Sequence, residues 1–241
     1  MNSFMAWVGG KKALRDEILA RFPLDYTRYI EVFGGAGWVL FRKPPGYDFE
    51  VFNDLDGNLV NLYRCVREQP QQLKEEIRYL LNSRLDFEHM KRLLHERAAL
   101  PDVKRGAYYY ALIRYSYAAG TTTYGGQPHA MWNDFPLIDA AANRLQKVVV
   151  ENKDCVKLIR QYDRPGSFFY CDPPYYNADQ YYASVPADGF DHKRLAETLY
   201  GIQGKFLLSY NDCPEIRELY SRPGVAIEHM TRLSNIAQRY E

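Results

Sequence analysis

The sequence predicts an α/β fold: a doubly wound, mostly parallel sheet with a mainly helical lobe bearing a hairpin inserted in it. Three observations predict it. Short apolar runs rich in β-branched and aromatic residues occur near both ends of the chain. Helical stretches lie between most of them. Residues 60–130 instead carry dense helical periodicity and an excess of positive charge, 11 Lys and Arg against 7 Asp and Glu. In chain order, Tyr29-Ile-Glu-Val-Phe33 reads as a strand that enters a glycine turn, and Gly37–Phe41 as the helix after it. Glu50-Val-Phe52 is a second strand, ended by Asn-Asp, with a helix over Leu59–Arg67. Leu73, Ile77, Leu80 and Leu81, then Met90, Leu93 and Leu94, then Tyr109 to Ile113 mark the helices of the insert. Gln146–Val150, Ser167–Tyr170 and Lys205–Ser209 look like buried parallel strands, alternating with helices over Cys155–Gln161, His192–Tyr200 and Glu215–Tyr220. The expected division is a sheet-bearing domain formed by residues 1–60 and 140–241, and a helical lobe at 61–139.

With 241 residues, 46% hydrophobic and 25% charged, the chain is an ordinary globular one rather than a disordered one or a disulfide-stapled mini-protein. The net charge of +1 announces no global nucleic-acid field. Aromatic usage is high at 15%, and 21 tyrosines suit either a core or a surface on which bases stack. The cysteines at 65, 155, 171 and 213 form no CxxC pair, and no His pair has helical ligand spacing, so neither a zinc site nor a disulfide framework is expected. The lack of an apolar run of about 18 residues, and of a signal-peptide core, predicts a cytoplasmic protein with no membrane partner.

Three motifs carry chemistry. Glu31-Val-Phe33-Gly34-Gly35-Ala-Gly37 takes a strand into a helix through glycines, which lets backbone approach a ligand at the sheet's carboxyl edge. A tight structural turn would use the same residues, and the spacing is not that of a phosphate loop. Asp54, at the end of the next strand, is placed to accept hydrogen bonds from the hydroxyls of a ribose; Asp56 is placed to cap the following helix. A ribose held without a phosphate grip points to an adenosyl group such as that of S-adenosylmethionine. The most specific motif is Asp172-Pro173-Pro174-Tyr175, at the end of a hydrophobic strand. Two prolines remove two N–H donors and leave rigid carbonyl acceptors, so a carboxylate and a proline carbonyl can accept from one exocyclic amine while Tyr175 lies over its ring. The bland alternative is a proline-terminated strand with a capping Asp.

Asp172-Pro-Pro-Tyr175 together with Phe33-Gly-Gly-Ala-Gly37 resembles the amino-methyltransferases of the DNA adenine methylase (Dam-type) family, in their α-group order. Phe4-Met-Ala-Trp7-Val-Gly-Gly-Lys11 is similar to that family's N-terminal motif, with Ala6 where lysine is common. Arg114-Tyr-Ser-Tyr117 is similar to the run leading into its DNA-reading hairpin, with Ala118 in place of the usual Asn. The resemblance covers most of the chain. It implies a Rossmann-like, S-adenosylmethionine-dependent methyltransferase sheet that transfers a methyl group to the N6 amine of an adenine flipped out of duplex DNA, leaving S-adenosylhomocysteine and using no metal. It implies that Trp7, Lys11, Phe33, Gly34, Gly35, Gly37, Asp54 and Asp172 hold the cofactor. Asp154 would recognise the cofactor's adenine, although Cys155 departs from the family's Phe and Asp154 can equally cap a helix. Leu207-Leu-Ser-Tyr-Asn-Asp212 resembles the strand end that closes the target pocket.

The basic lobe would then bind double-stranded DNA. Lys91, Arg92, Lys104, Arg105 and Arg114 are the candidates for phosphate contacts, and Tyr117 and the stretch Thr121, Thr122, Tyr124 to Gln127 for a base-reading hairpin; an ordinary surface loop is the alternative for that stretch. A cognate restriction endonuclease is a candidate partner. The rival readings are a methyltransferase acting on cytosine-N4, RNA or a protein amide, and a catalytically silent DNA-binding relative. The family continues beyond Met230 to a last apolar strand, and the polar residues 231–241 contain none, so the expectation is a sequence that stops before that strand or a sheet one strand short.

Overall fold

The computed structural model describes residues 1–7, 9–46, 48–177 and 189–230. Five strands form one sheet: β1 (Arg28–Glu31), β2 (Phe49–Asn53), β3 (Val148–Glu151), β4 (Ser167–Cys171) and β5 (Lys205–Leu208). Their order is β3-β2-β1-β4-β5, and every neighbouring pair is parallel. The chain thus steps outward one way from β1 to β3, then returns to the other side of β1 with β4 and β5. Glu31 pairs in register with Phe52 on one side and Tyr170 on the other, so the carboxyl ends of the central strands open on one edge. The switch in direction falls between β1 and β4, where an open α/β sheet leaves a crevice.

Side-chain alternation along these strands assigns the two faces. Tyr29, Phe52, Phe168 and Tyr170 belong to the cluster on one face, with α2 (Trp38–Arg42), α3 (Gly57–Glu68) and α7 (Phe135–Leu145). Ile30, Val51, Phe169 and Cys171 belong to the other, with α8 (Cys155–Tyr162), α9 (His192–Tyr200) and α10 (Pro214–Tyr220). β4 is buried at all five positions, as its unbroken apolar run implies, whereas β3 and β5 are half-buried at most positions because they form the edges among the described residues.

Between β2 and β3 the chain also forms α4 (Pro70–Arg78), α5 (Arg84–His95) and α6 (Asp102–Tyr115). Local chemistry explains their starts. Asp56 caps α3 by accepting from the N–H groups of Asn58 (2.8 Å) and Leu59 (3.3 Å). Ser83 caps α5 and donates its own hydroxyl to Asp86. Pro70 opens α4, where a missing N–H costs nothing. α6 is apolar nearly all round, from Ala107 through Tyr115, because α3, α4 and α5 pack about it. Its residues share one continuous cluster with the sheet face.

The run Leu73 to Leu81 behaves differently from its periodicity: α4 ends at Arg78, and Tyr79, Leu81 and Leu85 stand exposed at the corner into α5. The boundary expected at 139/140 falls inside α7, which buries Ile138, Ala141, Ala142 and Leu145. From α7, Arg144 forks onto both oxygens of buried Glu50 at 2.6 Å, and Lys43 adds a third contact at 3.1 Å. Among the described residues no helix is long and apolar enough to cross a membrane. Residues 231–241, on which the expectation of a missing strand falls, lie outside the described residues.

Candidate active site

The crevice at the β1–β4 switch point is lined by the N-terminal segment (Trp7, Gly9, Gly10, Lys11), the glycine turn (Glu31, Phe33 to Ala36), Asp54 to Asp56, the loop Ala119–Thr121, and Tyr170, Asp172 and Pro174. Residues far apart in sequence meet here because the topology carries three strand ends to one edge.

The glycine turn is shaped by close approach. A side chain on Gly34 would lie 2.2 Å from the Phe52 ring, and Gly35, at φ +50°, would thrust one within 2.8 Å of Trp7. Tyr63 holds the turn from below by donating to the Gly35 carbonyl at 3.0 Å. Asp54 is tied to the same turn. Its carboxylate accepts from the N–H of Gly35 and of Asp56, both at 2.9 Å, while keeping part of its surface on the crevice. Burial lifts its pKa to about 6, and these N–H groups hold it from rising further. Asp56 is spent on α3, and its second oxygen accepts from the Tyr109 hydroxyl at 2.5 Å.

Asp172 follows β4. Its Oδ2 lies 2.5 Å from the ammonium of Lys11, and its Oδ1 accepts from Ser209 Oγ at 2.8 Å. Lys11 is only 5% exposed and also donates to the Gly9 carbonyl at 3.0 Å. Burial works to neutralise it, but the Asp172 carboxylate and the Tyr175 hydroxyl together outweigh burial and leave its pKa raised. The Lys11 ammonium also stands 4.9 Å from the centre of the Tyr175 ring, which packs beside Tyr210. Pro173 is buried behind the acid. Glu31 lines the crevice too, beside Asp54, Asp56 and Asp172. Burial pushes its pKa up to about 8, against the Tyr29 hydroxyl at 2.6 Å and the Leu40 N–H, and negative Asp172 nearby adds to the rise.

Trp7, Lys11, Phe33, Gly34, Gly35, Asp54, Asp172 and Pro174 therefore stand together, with Gly37 as the left-handed cap that starts α2. Asp154 does not line the crevice. It caps α8 through the Lys157 N–H at 3.2 Å, and Arg194 takes both of its oxygens at 3.0 and 2.8 Å. Burial opposes ionisation there, and the bond and charge of Arg194 with the N–H groups of Lys157 and Val156 together overcome it, leaving the pKa lowered.

Of the residues expected to meet DNA, Thr121 lines the crevice, and Tyr117, Thr122 and Gln127 are exposed. Lys91 pairs with Glu88 and reaches the Thr122 carbonyl; Arg92 meets His89; Arg105 meets Asp102 and Asn61; Lys104 stands over Tyr108. Arg114 is placed otherwise than expected. It is turned inward, paired with Asp134 at 2.9 Å and donating to the Phe4 carbonyl and the Tyr110 hydroxyl, so it ties the N-terminal segment to α6 instead of facing solvent. Tyr124 likewise bonds Asn82 and packs on Phe87. The stretch expected to be a hairpin closes through a single antiparallel bridge, Ser116 to Tyr124.

Sequence reasoning assigns no role to Glu31, Trp38, Leu55 and Phe190, all of which line the crevice. Leu55, an exposed apolar residue directly after the acid of β2, is the one a sequence signal could have flagged.

Residues 7–236 match the family model of the D12 class N6 adenine-specific DNA methyltransferases. The chain is 25% identical over 247 residues to the type II methyltransferase M1.LlaDCHI of Lactococcus lactis subsp. cremoris, covering 91% of this chain and 84% of that protein. It is 26% identical over 240 residues to a DNA adenine methylase of Haemophilus influenzae, covering 90% and 82%. It is 23% identical over 228 residues to the type II methyltransferase M.CviBI of Paramecium bursaria Chlorella virus NC1A, covering 91% and 86%.

Proposed function

The chain belongs to the D12 class N6 adenine-specific DNA methyltransferases, and we propose that Asp172, Pro173, Pro174 and Tyr175 form its catalytic centre, with S-adenosylmethionine held along the glycine turn. The observation that carries this reading is the acid at the end of β4, held by Lys11 and Ser209 across the switch point from Gly34 and Gly35.

The crevice suits that cofactor. Asp54 presents an acceptor for ribose hydroxyls, the glycines bring bare backbone to its wall, and Lys11 and Glu31 add polar groups to the same lining. Trp7 and Phe33 add apolar walls, Leu55 offers an apolar surface beside Asp54, and Gly37 starts α2 immediately behind the turn. When bound, S-adenosylmethionine supplies an electrophilic methyl group on a sulfonium.

The exocyclic amine of adenine is a poor nucleophile, since its lone pair is delocalised into the ring. Lys11 and Ser209 occupy one acceptor site on each oxygen of Asp172, and a carboxylate has about four, so capacity remains for an N–H of the amine. The Pro173 carbonyl accepts the other N–H. Together they favour a localised lone pair and stabilise the positive charge that grows on nitrogen as the N–C bond forms. As the N–C bond forms, the methyl's bond to sulfur would break with its electron pair staying on sulfur, and the nitrogen would then release one proton to solvent. In a duplex the adenine must leave the stack, and Tyr175 offers the ring to receive it.

Double-stranded DNA is the proposed partner of the helical residues 61–139, with Lys91, Arg92, Lys104 and Arg105 at phosphates and Tyr117, Thr121, Thr122 and Gln127 nearest the bases. Such a substrate puts the protein's work in the cytoplasm, at the nucleoid. Two of the relatives are type II methyltransferases by name, which supports a cognate restriction endonuclease as a further partner. The test is transfer of tritium from labelled cofactor to duplex DNA, followed by analysis of the hydrolysed bases. N6-methyladenine is expected; label recovered in N4-methylcytosine, or none in DNA, would reject this function.

A further inference from the structure

Two side chains just past β5 grip the Asp172–Tyr176 segment. Ser209 extends the β4–β5 ladder by one rung, its N–H donating to the Cys171 carbonyl at 3.0 Å, and its Oγ reaches Asp172 Oδ1 at 2.8 Å. Two residues on, Asn211 brackets Tyr176: its Oδ1 accepts the Tyr176 N–H at 3.0 Å and its Nδ2 donates to the Tyr176 carbonyl at 3.3 Å. Ser209 Oγ also meets the Tyr170 hydroxyl at 3.3 Å. The direction of that chain is forced. An ionised carboxylate only accepts, so Ser209 donates to Asp172, and Tyr170 must be the donor to Ser209. Burial pushes the Tyr170 pKa well up, so its hydroxyl keeps the proton it donates.

The last torsion of an aspartate is broad, so one partner does not set the plane of the carboxylate. Lys11 holds Oδ2 from the N-terminal segment by a long, many-jointed side chain. Ser209 holds Oδ1 from the opposite strand, on a short side chain anchored by backbone. We propose that Ser209 is a positioning residue for methyl transfer: backed by Tyr170, it fixes the plane of the Asp172 carboxylate so that the remaining acceptor sites face the target amine. This rests on Asp172 being the group that accepts from that amine.

The experiment compares wild type, Ser209→Ala, Ser209→Thr and Asp172→Ala. It reads single-turnover methyl transfer at saturating cofactor and duplex DNA, with S-adenosylhomocysteine binding by calorimetry and DNA binding by fluorescence anisotropy. Ser209→Ala is expected to slow transfer about 10- to 100-fold, the scale of a small misplacement of a reacting group. Both dissociation constants should stay within about twofold, and Ser209→Thr, which keeps the hydroxyl, should recover most of the rate. A wild-type rate in Ser209→Ala beside an inactive Asp172→Ala would overturn the role of Ser209 and leave the catalytic centre standing. Equal slowing in Ala and Thr variants with weakened binding would reduce Ser209 to a structural support, which also overturns it. A wild-type rate in Asp172→Ala would remove both.

Discussion

Asp172 and Thr121 line the same crevice, but they are held there by opposite means. Asp172 sits at a strand end, with donors from the N-terminal segment and from beyond β5 on its two oxygens. Thr121 sits on a loop whose backbone is strained: Ala118, Ala119 and Thr121 have φ of +51°, +59° and +58°, a region that costs residues with a Cβ. Few contacts tie that loop down, among them the Thr121 N–H to Ser116 Oγ at 3.0 Å and the Tyr117 N–H to the Thr123 carbonyl at 2.7 Å. Group transfer needs atoms fixed to fractions of an ångström, which strand ends provide. Reading a sequence needs a surface that can adjust to its partner, which loops provide. The basic residues of the helical region follow the same division: those on its surface are paired loosely with neighbours, and the one turned inward, Arg114, is a structural clamp.

The contrast can be broken most severely at the rigid side. Asp172→Ala should lower methyl transfer by about 10³-fold, the upper end of what one preorganised electrostatic group contributes. It should also lower Tm, because the Lys11 ammonium loses its anion in a site only 5% exposed. Adding Lys11→Met should restore Tm without restoring transfer; recovery of both would show that Asp172 acts on stability alone.

Next in size is the inward clamp. Arg114→Met takes the guanidinium from Asp134, which is 8% exposed and keeps the Tyr110 hydroxyl and the His129 ring as partners, and should cost about 2 kcal/mol in urea unfolding. The slope of log DNA affinity against log salt should not change. Lys104→Ala should do the reverse if Lys104 takes the phosphate proposed for it, leaving stability within about 0.5 kcal/mol and reducing that slope by about one. A changed slope in Arg114→Met would put that guanidinium on the DNA after all.

Glu31 gives a pH test of how tightly the rigid side is packed. Its folded pKa of about 8 lies above its ordinary value of 4.5, so the folded chain holds a proton that the unfolded chain releases. Its contribution to stability is therefore fully present below about pH 4.5 and is lost as the pH rises toward 8. Glu31→Gln should flatten that decline in Tm between pH 5 and 8; an unchanged decline would assign it to other groups.

The smallest expected effect is at the loop. Ala118→Gly relieves a positive φ and should stabilise the fold by about 0.5 kcal/mol, net of the entropy glycine adds to the unfolded chain. A loss of stability would mean that the loop does not hold this backbone in solution.

The five strands, and the helices that alternate with them, were legible because period, length and turn chemistry are local signals. From sequence β3 and β5 read as buried strands, but position in a sheet is not local, and among the described residues they are half-covered edges. The run Leu73 to Leu81 misled for a related reason: apolar spacing continued past the point where α4 ends and the chain turns toward α5. At the site, Asp172, Asp54 and the glycine turn could be singled out because each lies at a strand's carboxyl end, where ligand-facing residues of this architecture collect.

The sequence by itself determined the order of the elements and singled out Asp172-Pro-Pro-Tyr175, since both reside in residues adjacent along the chain. Only the tertiary structure decided which polar groups are spent on one another: Ser209 on Asp172 across 37 residues, Arg194 on Asp154 across 40, Arg114 on Asp134 across the base of the loop. A carboxylate accepts from whichever donor the fold delivers within about 3 Å, and that meeting is set by strand order and helix packing rather than by residue type or spacing.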